Sequence, residues 1–136
     1  MIRKANVSDL SLVASMLYAM YMELMPDVCS NRLSDYTDEA LKYLIEHDVL
    51  IDDKARGMFV VKDVYNPLTP SVKQWFGLVV YIKPEFRKTR VLKTFYDYLF
   101  ENYKGNILGL TEINSEHIKV LDKRHTCTAK MYILNN

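Results

Sequence analysis

Four cations, Lys83, Arg87, Lys88 and Arg90, stand within eight residues of one another, where an apolar run over 75–82 gives way to a helical pattern. Cations at the start of a helix face the positive end of its dipole, so their presence there invites an anion. Lysine and arginine can hold phosphate oxygens through charge-assisted hydrogen bonds. The first backbone N–H groups of a helix add further donors. The plainer alternative is a solvated basic turn. Proton transfer has two candidates later in the chain. Glu112, buried beside an apolar wall, would have its pKa raised toward neutrality, the condition for taking a proton from an ammonium; at a rim it is an ordinary carboxylate. His117 falls in the first turn of a short helix, where the dipole favours the neutral, proton-accepting imidazole; otherwise it is a surface or packing residue. The run 75–82 itself holds no carboxylate, only Gln74 just before it.

The elements that must position these residues are legible from periodicity. A short strand over 2–4 is followed by a helix with Asn6 or Ser8 as cap and Asp9 in its first turn. Val7, Leu10, Val13, Ala14, Leu17, Tyr21 and Leu24 keep the spacing of one buried face, and Pro26 ends the helix. A second helix starts near 35–37, buries Ala40, Leu41, Leu44 and Ile45, and stops before His47. Short β-rich runs at 49–51 and 58–61 flank a hairpin connection over 52–57. Residues 66–70, with two prolines, form a loop. The run 75–82 reads as a central strand buried on both faces, closed by Pro84. A third helix covers 89–103 and a strand 106–113; Asn114 or Ser115 caps a short helix through Leu121, and a last strand covers 129–134. The order is β-α-α-β-β-β-α-β-α-β, an α/β arrangement. Its middle strand-helix-strand unit calls for a right-handed crossover and a mixed sheet.

Length bounds the answer. With 136 residues the chain is one domain, large enough to fold without metal or disulfide. Hydrophobic residues at 49% and a net charge of +1 place it among soluble globular proteins and give no global pull toward nucleic acid or membrane. No apolar run approaches the roughly 20 residues of a membrane helix, and the polar start after Met1 lacks a signal-like core, so a cytoplasmic protein is expected. The two cysteines, Cys29 and Cys127, have no CxxC spacing, and the histidines do not cluster. Neither a zinc site nor a disulfide framework is expected; both thiols read as reduced and partly buried.

Three segments resemble the GNAT superfamily of N-acyltransferases, and the resemblance spans nearly the whole chain. The opening Ile2-Arg3-Lys4-Ala5, followed by Asp9 and a helix, is similar to the family's first strand and helix. Val80-Tyr81-Ile82-Lys83-Pro84-Glu85-Phe86-Arg87 resembles its fourth strand and the V-x-P-x-[YF]-R exit. Ile113-Asn114, leading to His117, Lys119 and Leu121, resembles the N-x-x-A/H-x-x-x-Y segment after the fifth strand. The resemblance implies that the backbone of Val80, Tyr81 and Ile82 pairs with the pantetheine arm of an acyl-CoA and that Asn114 contacts the same arm. It also implies that the loop Arg87-Lys88-Thr89-Arg90-Val91-Leu92 wraps the pyrophosphate. Departures are equally specific. The family loop reads R-G-x-G-[IV]-G, whereas Lys88, Arg90 and Leu92 fill the three glycine positions here. The position of the family's proton-donating Tyr is Leu121, leaving Tyr132 as a distant substitute, and only one strand fits after the fourth helix. Such a shortened sheet ends in an edge that a second copy could cover, so a homodimer is an expectation.

Three functions remain open. The first is direct transfer of an acyl group, chiefly acetyl, from acyl-CoA to an amine of a small molecule or protein, with no metal and with an oxyanion held by a backbone N–H near Val80 or Tyr81. The second keeps the fold as a binding or virion module; glycine-poor, Arg/Lys-rich loops similar to this one occur among small phage-encoded GNAT-like proteins. The third is nucleic-acid binding through Lys83, Arg87, Lys88, Arg90 and Lys93 with Phe86 and Tyr81, which the near-balance of charge disfavours.

Overall fold

The computed structural model describes residues 1–64, 67–68, 71, 74–103 and 107–110. Its elements are β1 (Ile2–Lys4), α1 (Leu10–Leu24), α2 (Leu33–Glu46), β2 (Asp48–Asp52), β3 (Gly57–Val64), β4 (Gln74–Ile82), α3 (Val91–Asn102) and β5 (Ile107–Leu110), with single 3-10 turns at Val7–Asp9 and Pro84–Phe86. The strands lie in the order β1-β2-β3-β4-β5. The first three pairings are antiparallel and β4–β5 is parallel, so the expected mixed sheet is present.

Local chemistry explains the boundaries. Asn6 accepts from the Ser8 N–H while Asp9 accepts from the Asn6 N–H, each at 2.9 Å, a reciprocal cap that starts the chain toward α1. Arg3 grips the same Asp9 with two hydrogen bonds of 2.9 Å, tying β1 to that cap. Pro26 stands two residues beyond the last turn of α1 and cannot continue it.

Alternation along the strands divides the core. Val49, Ile51, Met58, Val60, Val79 and Tyr81 meet α1 and α2 on one face, through Val13, Met16, Leu17, Met20, Tyr36 and Ala40. Leu50, Phe59, Val61 and Ile82 meet α3 on the other, through Val91, Leu92, Phe95, Tyr96 and Leu99. Phe59 stacks on Phe95 with centroids 4.6 Å apart, an offset aromatic contact that adds to the area buried.

Several expectations change. Val7 and Leu24 are exposed, because Val7 sits in the 3-10 turn rather than on α1 and Leu24 lies at its open end. On α2, Ile45 is 70% exposed and Leu41 is exposed as well; of the expected face Ala40 is buried and Leu44 partly so, with Tyr36 beside them, the narrower face that α1 leaves it. The third helix starts at Val91, so Thr89 and Arg90 precede it. Central strand β4 is not buried throughout, for Leu78 is 40% exposed.

Candidate functional site

Leu78 marks where the β3–β4 ladder breaks. Val60 pairs with Val79 but Val61 pairs with Gly77, so Leu78 is an extra residue, a bulge on β4. Such a residue stands outside the ladder and turns the strand. The bulge also inverts the alternation: Val79 and Tyr81 face α1 and α2, whereas Trp75, an even number of residues away, packs edge-on against Tyr103 beside α3. On the other side, the described pairing with β5 runs from Gln74↔Ile107 to Gly77↔Leu110. Residues 78–82 pair with β3 on one side, and the residues that follow Leu110 of β5 lie outside the described ones.

The strand leads into the basic corner. Lys83 N–H donates to the Arg56 carbonyl, Phe86 N–H to Lys83 and Thr89 N–H to Phe86, folding the chain over Pro84. The Thr89 hydroxyl donates to the Phe86 carbonyl at 2.6 Å and accepts weakly from the Val91 N–H at 3.4 Å, so it serves the fold of the corner itself. The N–H groups of Lys88, Arg90, Leu92 and Lys93 have no hydrogen-bond partner among the described residues. Open N–H groups at the start of a twelve-residue helix make a donor-rich, electropositive helix end.

The side chains at the glycine positions go two ways. Leu92 is buried in the α3 core, as is Val91, while Lys88 and Arg90 are exposed. Backbone freedom is not needed. Arg87 and Arg90 have φ of −68° and −80°, and the one described non-glycine residue with positive φ is Ala55, elsewhere. The corner is built from conformations open to any residue.

Arg87 behaves differently from its neighbours. Its Nε donates to the Ile82 carbonyl at 2.9 Å, and its two terminal nitrogens donate to the carboxylate of Glu23 on α1. The guanidinium hydrogen bonds hold the Glu23 carboxyl below its usual range, so it is ionised and a poor base near neutrality. Tyr81 lies beneath that guanidinium, 5.9 Å to the ring centroid. Burial, followed by the charge of Glu23, raises its phenol. Val80 leans on the α3 core and Ile82 packs over Gly57, where a Cβ would come within 2.6 Å of Ile82 Cδ1.

A second polar cluster joins α1 to α2. Glu39 accepts from Tyr43 at 2.7 Å and from Tyr21 at 3.2 Å, and Tyr36 donates to the Ser30 carbonyl at 2.5 Å. Burial first, then Glu39, pushes both Tyr21 and Tyr43 up, so they keep their protons at neutral pH. Sequence reasoning missed this cluster, the role of Glu23 and the bulge. Gly77 inside a strand pattern was the available signal for the bulge; nothing in the sequence joins Glu23 to Arg87. Glu112, Asn114, His117, Leu121, Cys127 and Tyr132 lie outside the described residues, as do the fourth helix and last strand. Cys29 is a half-buried free thiol. Among the described residues, no three His, Cys, Asp or Glu side chains converge on a metal position, and no helix is long and apolar enough to cross a membrane.

Known structures share this architecture. The chain matches the ribosomal-protein-alanine N-acetyltransferase of Brucella melitensis biovar Abortus 2308 with a TM-score of 0.70 at 15% identity, over 100% of this chain and 98% of that one. A predicted acetyltransferase from Clostridium acetobutylicum, solved with acetyl-CoA, gives 0.69 at 14% identity, covering 100% and 95%. AAC(6')-Iy, in complex with the bisubstrate analogue CoA-S-monomethyl-acetylneamine, gives 0.66 at 16%, covering 100% and 97%. No protein-family model and no curated protein sequence matches the chain. The fold is that of the GNAT acetyltransferases. At these identities the likeness is one of architecture.

Proposed function

We propose that the protein is an acyl-CoA-dependent N-acyltransferase. One observation carries the reading: β4 runs past its bulge directly into N–H groups at the start of α3 that have no partner among the described residues, flanked by two exposed cations, Lys88 and Arg90. That continuity suits a ligand with an amide-bearing arm at one end and linked phosphates at the other. Pantetheine would add its amides to β4 at Val80, Tyr81 and Ile82 as an extra strand does. The pyrophosphate would sit at the N–H groups of Lys88, Arg90, Leu92 and Lys93, with the Lys88 and Arg90 side chains closing around it. Acetyl-CoA and a CoA bisubstrate analogue are held by two of the three similar proteins named above, which supports acetyl as the group transferred.

In this reading the thioester carbonyl lies near the bulge, where a backbone N–H outside the ladder can meet the oxyanion. An amine, of a small molecule or a protein, attacks directly. Asn114 steadies the arm, and Glu112 or His117 receives the ammonium proton. A thiolate leaves without a dedicated acid, because it is already a fair leaving group. The chain's own contribution is orientation, backbone donors and fixed positive charge.

A thermal-shift titration with acetyl-CoA tests the proposal. Ligand at 100 times its Kd adds about 2.7 kcal/mol, a rise of several degrees in Tm for a domain of this size. Mass spectrometry of an amine panel then detects the transferred acetyl group. A shift without transfer to any amine leaves a cofactor-binding protein without the activity. No shift with any acyl-CoA removes the proposal and favours the fold acting as a binding module.

A further inference from the structure

The arginine that the motif supplies for the phosphates is already engaged. All of its nitrogens donate: Nε to the Ile82 carbonyl at 2.9 Å, and the terminal pair to both oxygens of Glu23, one at 2.7 Å. Its plane lies over the Tyr81 ring. Glu23 stands on the last turn of α1, 64 residues away in sequence. A planar fork on a carboxylate fixes angle as well as distance, and here the same fork is fastened to the exit of β4. The pair therefore spans three parts of the fold: the end of α1, the end of β4, and the turn leading to α3.

We propose that Glu23 and Arg87 are positioning residues, a brace that holds the strand-to-helix corner against α1 while phosphate contact falls to Lys88, Arg90 and the open N–H groups. This rests on the acyl-CoA reading above. It departs from the plain motif match, in which Arg87 touches the pyrophosphate. It also gives the brace a second consequence, because α1 runs from Glu23 into the turn over 25–32 that leads to α2. A corner fastened to the end of α1 links the seat of the cofactor to that turn.

The sign of one substitution separates the two roles. If Arg87 were a phosphate ligand held in reserve, Glu23→Gln would free it and remove a negative charge beside a polyanion, so CoA would bind more tightly. If the pair is a brace, Glu23→Gln loosens the corner and CoA binds more weakly, although Glu23 touches no phosphate. Calorimetric titration of CoA into wild type, Glu23→Gln, Arg87→Ala and the double variant measures this. Pantetheine, which lacks the pyrophosphate, is titrated alongside at millimolar concentration by ligand NMR.

Each single variant should weaken CoA on the order of tenfold. The double variant should be no weaker than Arg87→Ala alone, since both remove one interaction. Pantetheine affinity should not change. Should Arg87→Ala fail to fold, Arg87→Lys replaces it, keeping the charge but losing the fork. Tighter or unchanged CoA binding by Glu23→Gln, with weaker binding by Arg87→Ala, overturns the brace and makes Arg87 a direct ligand. Additive losses overturn it as well. Equal losses for CoA and pantetheine reduce the pair to general stability and overturn the positioning role. If wild type itself binds no CoA, the acyl-CoA reading falls and the brace falls with it, a failure told apart because it appears in the wild-type titration.

Discussion

Two turns of this chain carry cations and treat them in opposite ways. The β2–β3 connection holds Lys54 and Arg56, and it answers the Arg56 charge from within. Asp52, 1% exposed, accepts from the Lys54 N–H and from Arg56 Nε, each at 2.7 Å, and more distantly from the Arg56 N–H. The chain takes φ 55° at Ala55 to close around that carboxylate. The corner between β4 and α3 holds Lys83, Arg87, Lys88 and Arg90. Its one acid, Glu85, makes no ion pair among the described residues, and the acid that meets Arg87 comes from α1. Lys88 and Arg90 meet none among the described residues. A turn that answers its arginine from within is a closure. The corner's cations and N–H groups without partners among the described residues are what the proposed acyl-CoA reading fills with phosphate.

The largest effect should come from breaking the turn that answers its own arginine. Asp52→Ala removes a buried carboxylate and leaves two N–H groups and a guanidinium without their acceptor, at a cost of roughly 3 kcal/mol, or about 10 °C in Tm. Burial alone would raise the Asp52 pKa; the hydrogen bonds from Arg56 and from the Lys54 and Arg56 N–H groups outweigh it and hold it below the ordinary carboxylate value. Its contribution is therefore complete above the unfolded pKa and lost as pH falls through the lower folded one. Denaturant melts across the acid range should show a shallower acid limb in the variant. An unchanged midpoint at neutral pH would mean that the hairpin does not depend on its internal charge.

The corner should respond in the reverse pattern. Lys88→Ala combined with Arg90→Ala removes exposed side chains without described partners, so stability should move by less than about 0.5 kcal/mol. CoA affinity should fall roughly thirtyfold, two charge-assisted contacts being lost, and the wild-type affinity should itself weaken as salt is raised. Calorimetry and a urea melt on one preparation separate the terms. A destabilised variant with unimpaired CoA binding would erase the distinction between the two turns.

The difference between the turns also explains what was legible in the sequence. Asn6 and Asp9 announced the start of the first helix, Pro26 its end, and the apolar run ending at Pro84 the central strand, because each acts through neighbours along the chain. The corner was visible for the same reason: charge, proline and the change of period lie within a few residues. What escaped depends on partners distant in sequence. Leu41 and Ile45 share the periodicity of a buried face, yet how much of that face is covered depends on how α1 lies across it. Nothing near Arg87 reveals that Glu23, 64 residues earlier, will occupy its guanidinium. The bulge is intermediate: Gly77 signalled an irregularity, but only the register against β3 identifies Leu78 as the extra residue.

The smallest effect is the sharpest test of how the two turns are built. Alanine in the left-handed region costs about 1 kcal/mol, so Ala55→Gly relieves strain, partly offset by the greater freedom of the unfolded chain. The net expectation is a gain of about 0.5 kcal/mol in a urea melt. At the corner the same kind of change should have the opposite sign. Arg90 sits at φ −80°, ψ 4°, where glycine relieves nothing and only adds unfolded-state entropy. Arg90→Gly, which restores a residue the GNAT motif favours, should then lose about 0.5 kcal/mol. A gain at both positions would mean that the corner is under a strain that its dihedral angles do not display, and that its larger side chains are tolerated rather than accommodated.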